Sequence, residues 1–429
     1  MSERPSLQPS LLVSAVEDDG TIVETVFRPE AADTALVVAR GNEIEIVREV
    51  KLRDTLFVPV RASNNLIKHN AVLLPSAPSE YGTVEELLAE IEVYIRRYVS
   101  LTDQAAGMCA VYVLLSWVYD AFNELPYLRF RGDYGTGKTR ALLVVGSLCY
   151  KAFFASGAST VSPIFHTLDT FKGTLIFDEA DFRFSDEKAE LVKILNNGNA
   201  KGFPVLRTQV TQKKEFDPQA FTIFGPKIVG MRRAYDDRAL ESRFLTIDMQ
   251  PGRADGVPIN LPDGQKAEAL DLRNKLLMYR LRNRLVVSLD ASLADPALEP
   301  RMNQILLPLL SVVPDDALRA VIRAKASALQ SGLLSERLAS SEGQVLTILH
   351  RLAAERPDPT ISVAAITSAF SAAYGNEYER PISNRWIGSI LRRLGIGLYK
   401  SNGVFVLVPR QEEHIGALCT RYGAISAIV

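Results

Sequence analysis

Little in this chain points to metal or disulfide chemistry. Its 429 residues hold three cysteines, Cys109, Cys149 and Cys419, and four histidines, all dispersed. None has the short spacing of a zinc site, and three separated thiols make no disulfide framework, so a reducing, cytosolic (cytoplasmic) compartment is the simple expectation. Charge of one sign is lacking too. The 49 Lys and Arg residues against 50 Asp and Glu leave a net charge of −1, so any surface that attracts nucleic acid must be local. No apolar run reaches membrane length. The longest uncharged apolar run, Gln104 to Tyr119, falls short of the roughly 20 residues a bilayer requires and suits a buried core helix. The opening Met-Ser-Glu-Arg-Pro lacks the apolar centre of a signal peptide. There is no internal repeat and no low-complexity tract.

What is present begins with Gly132-Asp-Tyr-Gly-Thr-Gly-Lys-Thr139. It fits G-x-x-x-x-G-K-[ST], the phosphate-binding P-loop. Gly132, Gly135 and Gly137 let the backbone close around an anion with its N–H groups, Thr136 included, turned inward. Lys138 is placed to neutralise the outer phosphates of ATP, and the Thr139 hydroxyl to hold Mg²⁺. The run before the loop, 127–131, reads as a strand and the run after it as a helix, the setting that puts phosphate at a helix N-terminus. A second motif is the apolar run 174–177 ending in Asp178-Glu179. A buried strand with carboxylates at its C-terminal tip is where open α/β sheets place ligands. Asp178 suits the Mg²⁺ shell, and Glu179 is the natural general base for an attacking water. The plain alternative is a strand that ends in a solvated acidic turn.

Residues 1–80 read as a β-rich domain, with short β-branched runs between Asp- and Gly-containing turns. Thr83-Val-Glu-Glu86 has capping-box spacing and opens an amphipathic helix to about residue 99. The expected core, 81–255, alternates strands near 127–131, 152–155, 173–177, 226–231 and 244–248 with helices. That is a parallel three-layer α/β domain. Helices near 266–287 and 303–332 make a helical region, 256–340. In 341–429 three helices near 342–355, 362–374 and 383–394 precede two short strands joined through Asn402-Gly403, a strong hairpin signal. Three helices and a β-hairpin is the plan of a winged helix.

The order of P-loop, Asp-Glu strand, helical lid and winged helix resembles the AAA+ ATPases, and within them MCM-type helicases and the primase-helicases of phages, plasmids and mobile elements. The strings that carry this are 162–168, 173–181, 195–207, 224–230 and Ala239-Leu-Glu-Ser-Arg-Phe244. The resemblance covers about residues 81–335, reaches the C-terminal region at fold level only and does not reach the first 80 residues. It implies an ATP- and Mg²⁺-dependent ring, usually a hexamer, that acts on DNA without a membrane partner. It implies that Arg243 is an arginine finger reaching a neighbouring subunit, with Arg238 the alternative. The plain reading is that both arginines pair with Asp236, Asp237 or Glu241. It likens 300–308 to a sensor-2 helix and makes Arg301 a contact to the γ-phosphate of its own subunit. One departure stands out. Where the family has Asn, Ser or Thr after the fourth strand, this chain runs into Arg232-Arg233.

Two basic islands are candidate DNA contacts. Residues 191–214 carry Lys193, Lys201, Arg207, Lys213 and Lys214 and no acidic residue. Lys213 and Lys214 sit at the expected tip of a hairpin, where the resemblance implies a grip on DNA in the ring's pore. Lys201 and Phe203 make a second candidate contact, though such a Phe also suits a core. Residues 380–410 carry six basic residues and no acidic one. On the expected helix 383–394, Trp386, Ile387 and Leu391 have the spacing of a buried face. Arg385, Ser389 and Arg392 lie off it, able to meet DNA or, as winged helices also do, protein.

Overall fold

The computed structural model describes residues 9–178, 186–210, 216–235, 237–252, 256–355 and 361–424. The chain divides into two compact units, residues 1–324 and 325–429. Among the described residues no helix is long and apolar enough to cross a membrane.

The first unit opens with seven strands: β1 (Ser10–Leu12), β2 (Ser14–Val16), β3 (Ile22–Arg28), β4 (Asp33–Arg40), β5 (Glu43–Val47), β6 (Val50–Leu52) and β7 (Thr55–Pro59). β2 to β5 form an antiparallel meander, and β1, β7 and β6 a small mixed sheet. A one-turn helix, α1 (Asn65–Lys68), and an extended segment follow. Val72 bridges Phe153 and the Leu73 amide donates to the Ala152 carbonyl. The segment thereby covers the outer edge of the main sheet, which would otherwise expose unpaired backbone groups.

Helix α2 (Val84–Tyr98) starts with the expected capping box: Thr83 accepts from the Glu86 amide while the Glu86 carboxylate accepts from the Thr83 amide. Helix α3 (Asp103–Val118) is apolar all round and buried from Ala106 to its end. Such a helix is stable only inside a protein.

The main sheet then alternates with helices: β8 (Tyr127–Arg131), α4 (Lys138–Gly146), β9 (Phe153–Ala155), α5 (Val161–Phe171), β10 (Leu175–Phe177), α6 (Asp186–Asn197), the hairpin strands β11 (Val205–Val210) and β12 (Phe216–Phe221), β13 (Lys227–Met231), α7 (Arg238–Glu241) and β14 (Phe244–Asp248). Its five strands are parallel in the order β14-β8-β13-β10-β9. All five fall where the sequence places them. Tyr127, Phe153, Leu175, Phe177, Val229 and Phe244 pack with α5 and α6 in one apolar core.

Beyond the sheet come α8 (Gly264–Asn283), α9 (Pro300–Val312) and α10 (Asp316–Ala339), in which the division between the units falls. The single helix expected over 303–332 is two. Pro314 cannot continue a helix, and the Asp315 carboxylate accepts from the Ala317 and Leu318 amides to start the next one. In the second unit α11 (Ser341–Glu355), α12 (Val363–Tyr374) and α13 (Asn384–Arg393) precede the hairpin β15 (Leu398–Ser401) and β16 (Val404–Leu407), and α14 (Glu412–Tyr422) ends the described chain. Asn402 and Gly403 both have positive φ, +48° and +83°, as a tight two-residue hairpin turn requires.

A buried ionic cluster ties the first unit together. Glu24 of β3 is 1% exposed. It meets Lys151 Nζ at 2.7 Å and Arg280 Nε of α8 at 2.6 Å, and accepts from the Tyr150 hydroxyl. Arg280 also pairs with Asp120 at 2.9 Å and donates to the Trp117 carbonyl. Burying these charges is tolerable only because each has a partner. Glu24→Gln would leave two buried cations facing one remaining carboxylate, and is expected to destabilise the unit by about 3–5 kcal/mol. Urea titration followed by Trp117 fluorescence in a Trp386→Phe background reads this directly; an unshifted midpoint would reject the role assigned to Glu24.

Candidate functional site

The loop between β8 and α4 holds the geometry of the site. Gly135 and Gly137 have φ of +72° and +87°, a region that side chains disfavour. Gly132 is required for another reason: a Cβ there would lie 2.7 Å from Thr136 Oγ1 and 2.9 Å from the Met249 carbonyl. Thr136 is buried and its hydroxyl donates to the Asp133 carbonyl. Lys138 begins α4 and folds its ammonium back over the loop, donating to the Gly132 and Asp133 carbonyls at 2.7 Å each. The helix N-terminus, the loop amides and this cation face one cavity of about 530 Å³. Its walls include residues 134–140, Asp178, Gly230, Arg232, Met249 and Val257.

Asp178 follows the last residue of β10, and its Oδ2 accepts from the Thr139 hydroxyl at 2.6 Å. β13 runs between β8 and β10 and would crowd this contact if it carried a side chain at Gly230. A Cβ there would come 2.9 Å from Asp178 Oδ1 and 2.8 Å from Leu142. A hydroxyl and a carboxylate so close are hard oxygen donors. They suit Mg²⁺, which takes one or two protein ligands and completes its shell with phosphate oxygens and water. Among the described residues no group of three His, Cys, Asp or Glu side chains could hold a metal ion. Arg140 donates to the Pro258 and Ile259 carbonyls and so fastens the segment after β14 along the cavity.

Other expected site residues fall elsewhere. Glu179, Lys213 and Lys214 lie outside the described residues, as does the Arg238 side chain. Arg243 precedes β14, at the end of the sheet away from the loop. Its guanidinium donates to Asn199 Oδ1 at 3.0 Å, Asn196 Oδ1 at 2.6 Å and the Ala239 carbonyl at 2.9 Å. It does not pair with Glu241, which takes a bidentate bond from Arg129.

Arg301, expected to contact the γ-phosphate of its own subunit, is not among the residues that line the loop cavity. Its charge acts instead on Arg243 and on Tyr127, the first residue of β8. The length of β8, about 13 Å at strand spacing, separates that end from the loop. Burial and the Arg301 charge hold the Arg243 pKa below the ordinary arginine value. Arg301 Nε and Nη2 are buried without a hydrogen-bond partner.

Lys201 is tethered, its ammonium donating to the Asp120 carbonyl at 2.9 Å and lying 5.5 Å from the Phe224 ring. Phe203 is not core; it is 63% exposed. In the second unit Arg385, Ser389 and Arg392 are exposed, while Ile387, Ile390 and Leu391 are buried. Arg392 lies over the Phe405 ring, and Arg393 pairs with Glu342 at 3.0 Å.

One residue escaped sequence reasoning. Lys227, fully buried, donates to the carbonyls of Gly198, Ile223 and Gly225 at 2.9–3.0 Å, and burial pushes its pKa down to about 7. A lone lysine opening an otherwise apolar strand was the available signal.

No protein-family model matches the chain, and no curated protein matches its sequence. Among solved structures it is similar to an apo form of the NrS-1 C-terminal region, with 14% identity over 90% of this chain and 95% of that one at a TM-score of 0.37. It is similar to a full-length MCM homologue from Methanopyrus kandleri, with 12% identity, coverages of 70% and 68% and a TM-score of 0.37. For JCV helicase the values are 14%, 64%, 66% and 0.25. Such values are too low to carry a functional argument, which rests instead on the loop, strand ends and cavity described above.

Lys138→Ala removes the ammonium folded back over the loop and is expected to weaken ATP binding about tenfold to a hundredfold. Asp178→Asn is expected to spare metal-free binding and abolish the gain in affinity on adding Mg²⁺. Titration of a fluorescent ATP analogue with and without Mg²⁺ distinguishes the two; an Asp178→Asn protein that still responds to Mg²⁺ would remove Asp178 from the metal site.

Proposed function

We propose that this chain is an AAA+ ATPase that works as an oligomeric ring, a hexamer when active, and couples ATP hydrolysis to movement along DNA, as a helicase or replication initiator of a mobile element. The observation that carries the reading is the Thr139–Asp178 contact at the mouth of a glycine-shaped loop on a helix N-terminus. A chance motif would not bring the hydroxyl at a helix start and the carboxylate at a separate strand end within 2.6 Å.

In this reading Lys138 and the loop amides bind the phosphates. Thr139 and Asp178 hold Mg²⁺, which when bound neutralises charge on the outer phosphates. Glu179 takes the proton of the attacking water. Arg243 and Arg301 share the far end of the sheet, so any phosphate they meet belongs to a neighbouring subunit, where their charge stabilises the transition state. Lys213, Lys214 and Lys201 are assigned to DNA in the pore. The exposed Arg385 and Arg392 of a winged-helix second unit are assigned to DNA outside it, and 256–340 acts as the lid.

A second reading, a slow nucleotide switch that loads or marks DNA, is favoured by one observation: Arg232 stands where a water-orienting Asn, Ser or Thr is expected.

Steady-state ATPase with no DNA, single-stranded DNA and duplex, at low and moderate salt, tests the proposal. Strong stimulation by single strands that fades with salt is expected, because DNA binding releases counterions. Slow turnover indifferent to DNA would sink the motor reading. Glu179→Gln should bind ATP without turnover. Mixing inactive Arg243→Ala with inactive Lys138→Ala subunits should restore part of the activity; no recovery at any ratio counts against a finger acting between subunits.

A further inference from the structure

Tyr134 is the third residue of the phosphate loop and is 72% exposed, although its neighbours make an anion cradle. Its partner is Arg232, the residue after β13. The Arg232 guanidinium lies 3.7 Å from the Tyr134 ring centroid, and its Nη1 donates to the Tyr134 hydroxyl. Both side chains line the cavity that Lys138 and Asp178 line. Because β13 runs between β8 and β10, the chain leaves the sheet at Arg232 midway between the loop and Asp178.

We propose that Arg232 is a phosphate-binding residue of its own subunit's site. It leaves Tyr134 to bind the terminal phosphate of a nucleoside triphosphate, so that the Tyr134–Arg232 stack is the resting state of the site. The inference rests on the nucleotide reading above and adds a residue and a ligand preference to it. A cation–π stack at an exposed position is weak beside a guanidinium–phosphate pair, whose two parallel N–H bonds match the planar fork. A triphosphate therefore draws the arginine off the ring. A diphosphate has no outer phosphate to do so and leaves the stack closed.

The chemistry of the side chain limits its role. A guanidinium has five donors and no acceptor, so Arg232 cannot take a proton from water or orient one as an amide carbonyl does. It contributes positive charge beside the outer phosphate and makes the site discriminate triphosphate from diphosphate. Tyr134 competes for the same guanidinium and so lowers the affinity for triphosphate.

Binding of a non-hydrolysable ATP analogue and of ADP, each with Mg²⁺, to the full chain and to three variants tests this by titration calorimetry. The unaltered chain should prefer the triphosphate about tenfold. Arg232→Ala should abolish that preference with ADP affinity unchanged. Arg232→Lys should restore it only in part, since an ammonium lacks the planar fork. Tyr134→Ala should tighten triphosphate binding and leave ADP alone. A preference that survives Arg232→Ala overturns the proposal while leaving the nucleotide reading intact. Failure of the unaltered chain to bind either nucleotide would instead remove the nucleotide reading and this inference with it.

Discussion

The first unit is organised around one buried carboxylate. Glu24 comes from the N-terminal meander, Lys151 from the turn after α4, and Arg280 from a helix 256 residues further along. A charge removed from water must be satisfied in place. The three elements therefore hold a fixed arrangement or leave an ion stranded. Asp120, held well below the usual carboxylate range by Arg280 and Arg284 despite its burial, extends the cluster to the segment after α3. The N-terminal strands are thus electrostatically part of the unit that carries the phosphate loop. Helix α8 is held at several points: Arg273 donates to the Ser147 carbonyl just past α4, and Asn274 accepts from the Ser76 amide. Motion of the loop that Arg140 fastens beside the cavity would meet a framework anchored by the N-terminal strands and by α8.

Strand β13 links the two ends of the sheet. At one end Gly230 leaves room for Asp178. At the other, about 10 Å away at strand spacing, Lys227 holds the Gly198 carbonyl, and the neighbouring Asn196 and Asn199 hold Arg243. Gly198 admits no side chain, since a Cβ would come 2.5 Å from Lys227 Nζ. The loop cavity and the arginine platform are therefore built on one strand. A shift of β13 at either end is felt at the other, because a packed interior does not absorb it.

Local chemistry was legible in the sequence; long-range choices were not. The loop glycines, the Asp178 strand, the Thr83 cap and the Asn402-Gly403 turn each follow from residues within a few positions of one another. Arg301 shows the limit. Its helix was evident, but which end of the sheet that helix faces depends on packing of segments far apart in sequence. Pro314 divides the single helix expected over 303–332 into α9 and α10. Phe203 is equally silent: composition favours burial of a phenylalanine, and only the tertiary structure leaves this one on the surface. For Glu24, Lys151 and Lys227 nothing nearby in sequence announces the partners that let them be buried.

The second unit raises a different question, whether a near-neutral chain can present a surface for nucleic acid. Fields are screened within about 8 Å at physiological salt, so the overall charge of −1 matters less than what stands beside each cation. Here the count of six basic residues overstates the surface, since Arg393 is already paired with Glu342. Arg385 and Arg392 remain on the exposed side of α13, whose apolar residues face the core. Beside them the hairpin exposes Tyr399, Val404 and Phe405, with Arg392 over the Phe405 ring. Aromatic rings next to guanidinium groups can stack bases while the charges meet phosphates, and a smooth duplex backbone would leave those rings unused. If this face meets nucleic acid as proposed, exposed rings beside guanidinium groups would suit unpaired strands better than plain duplex.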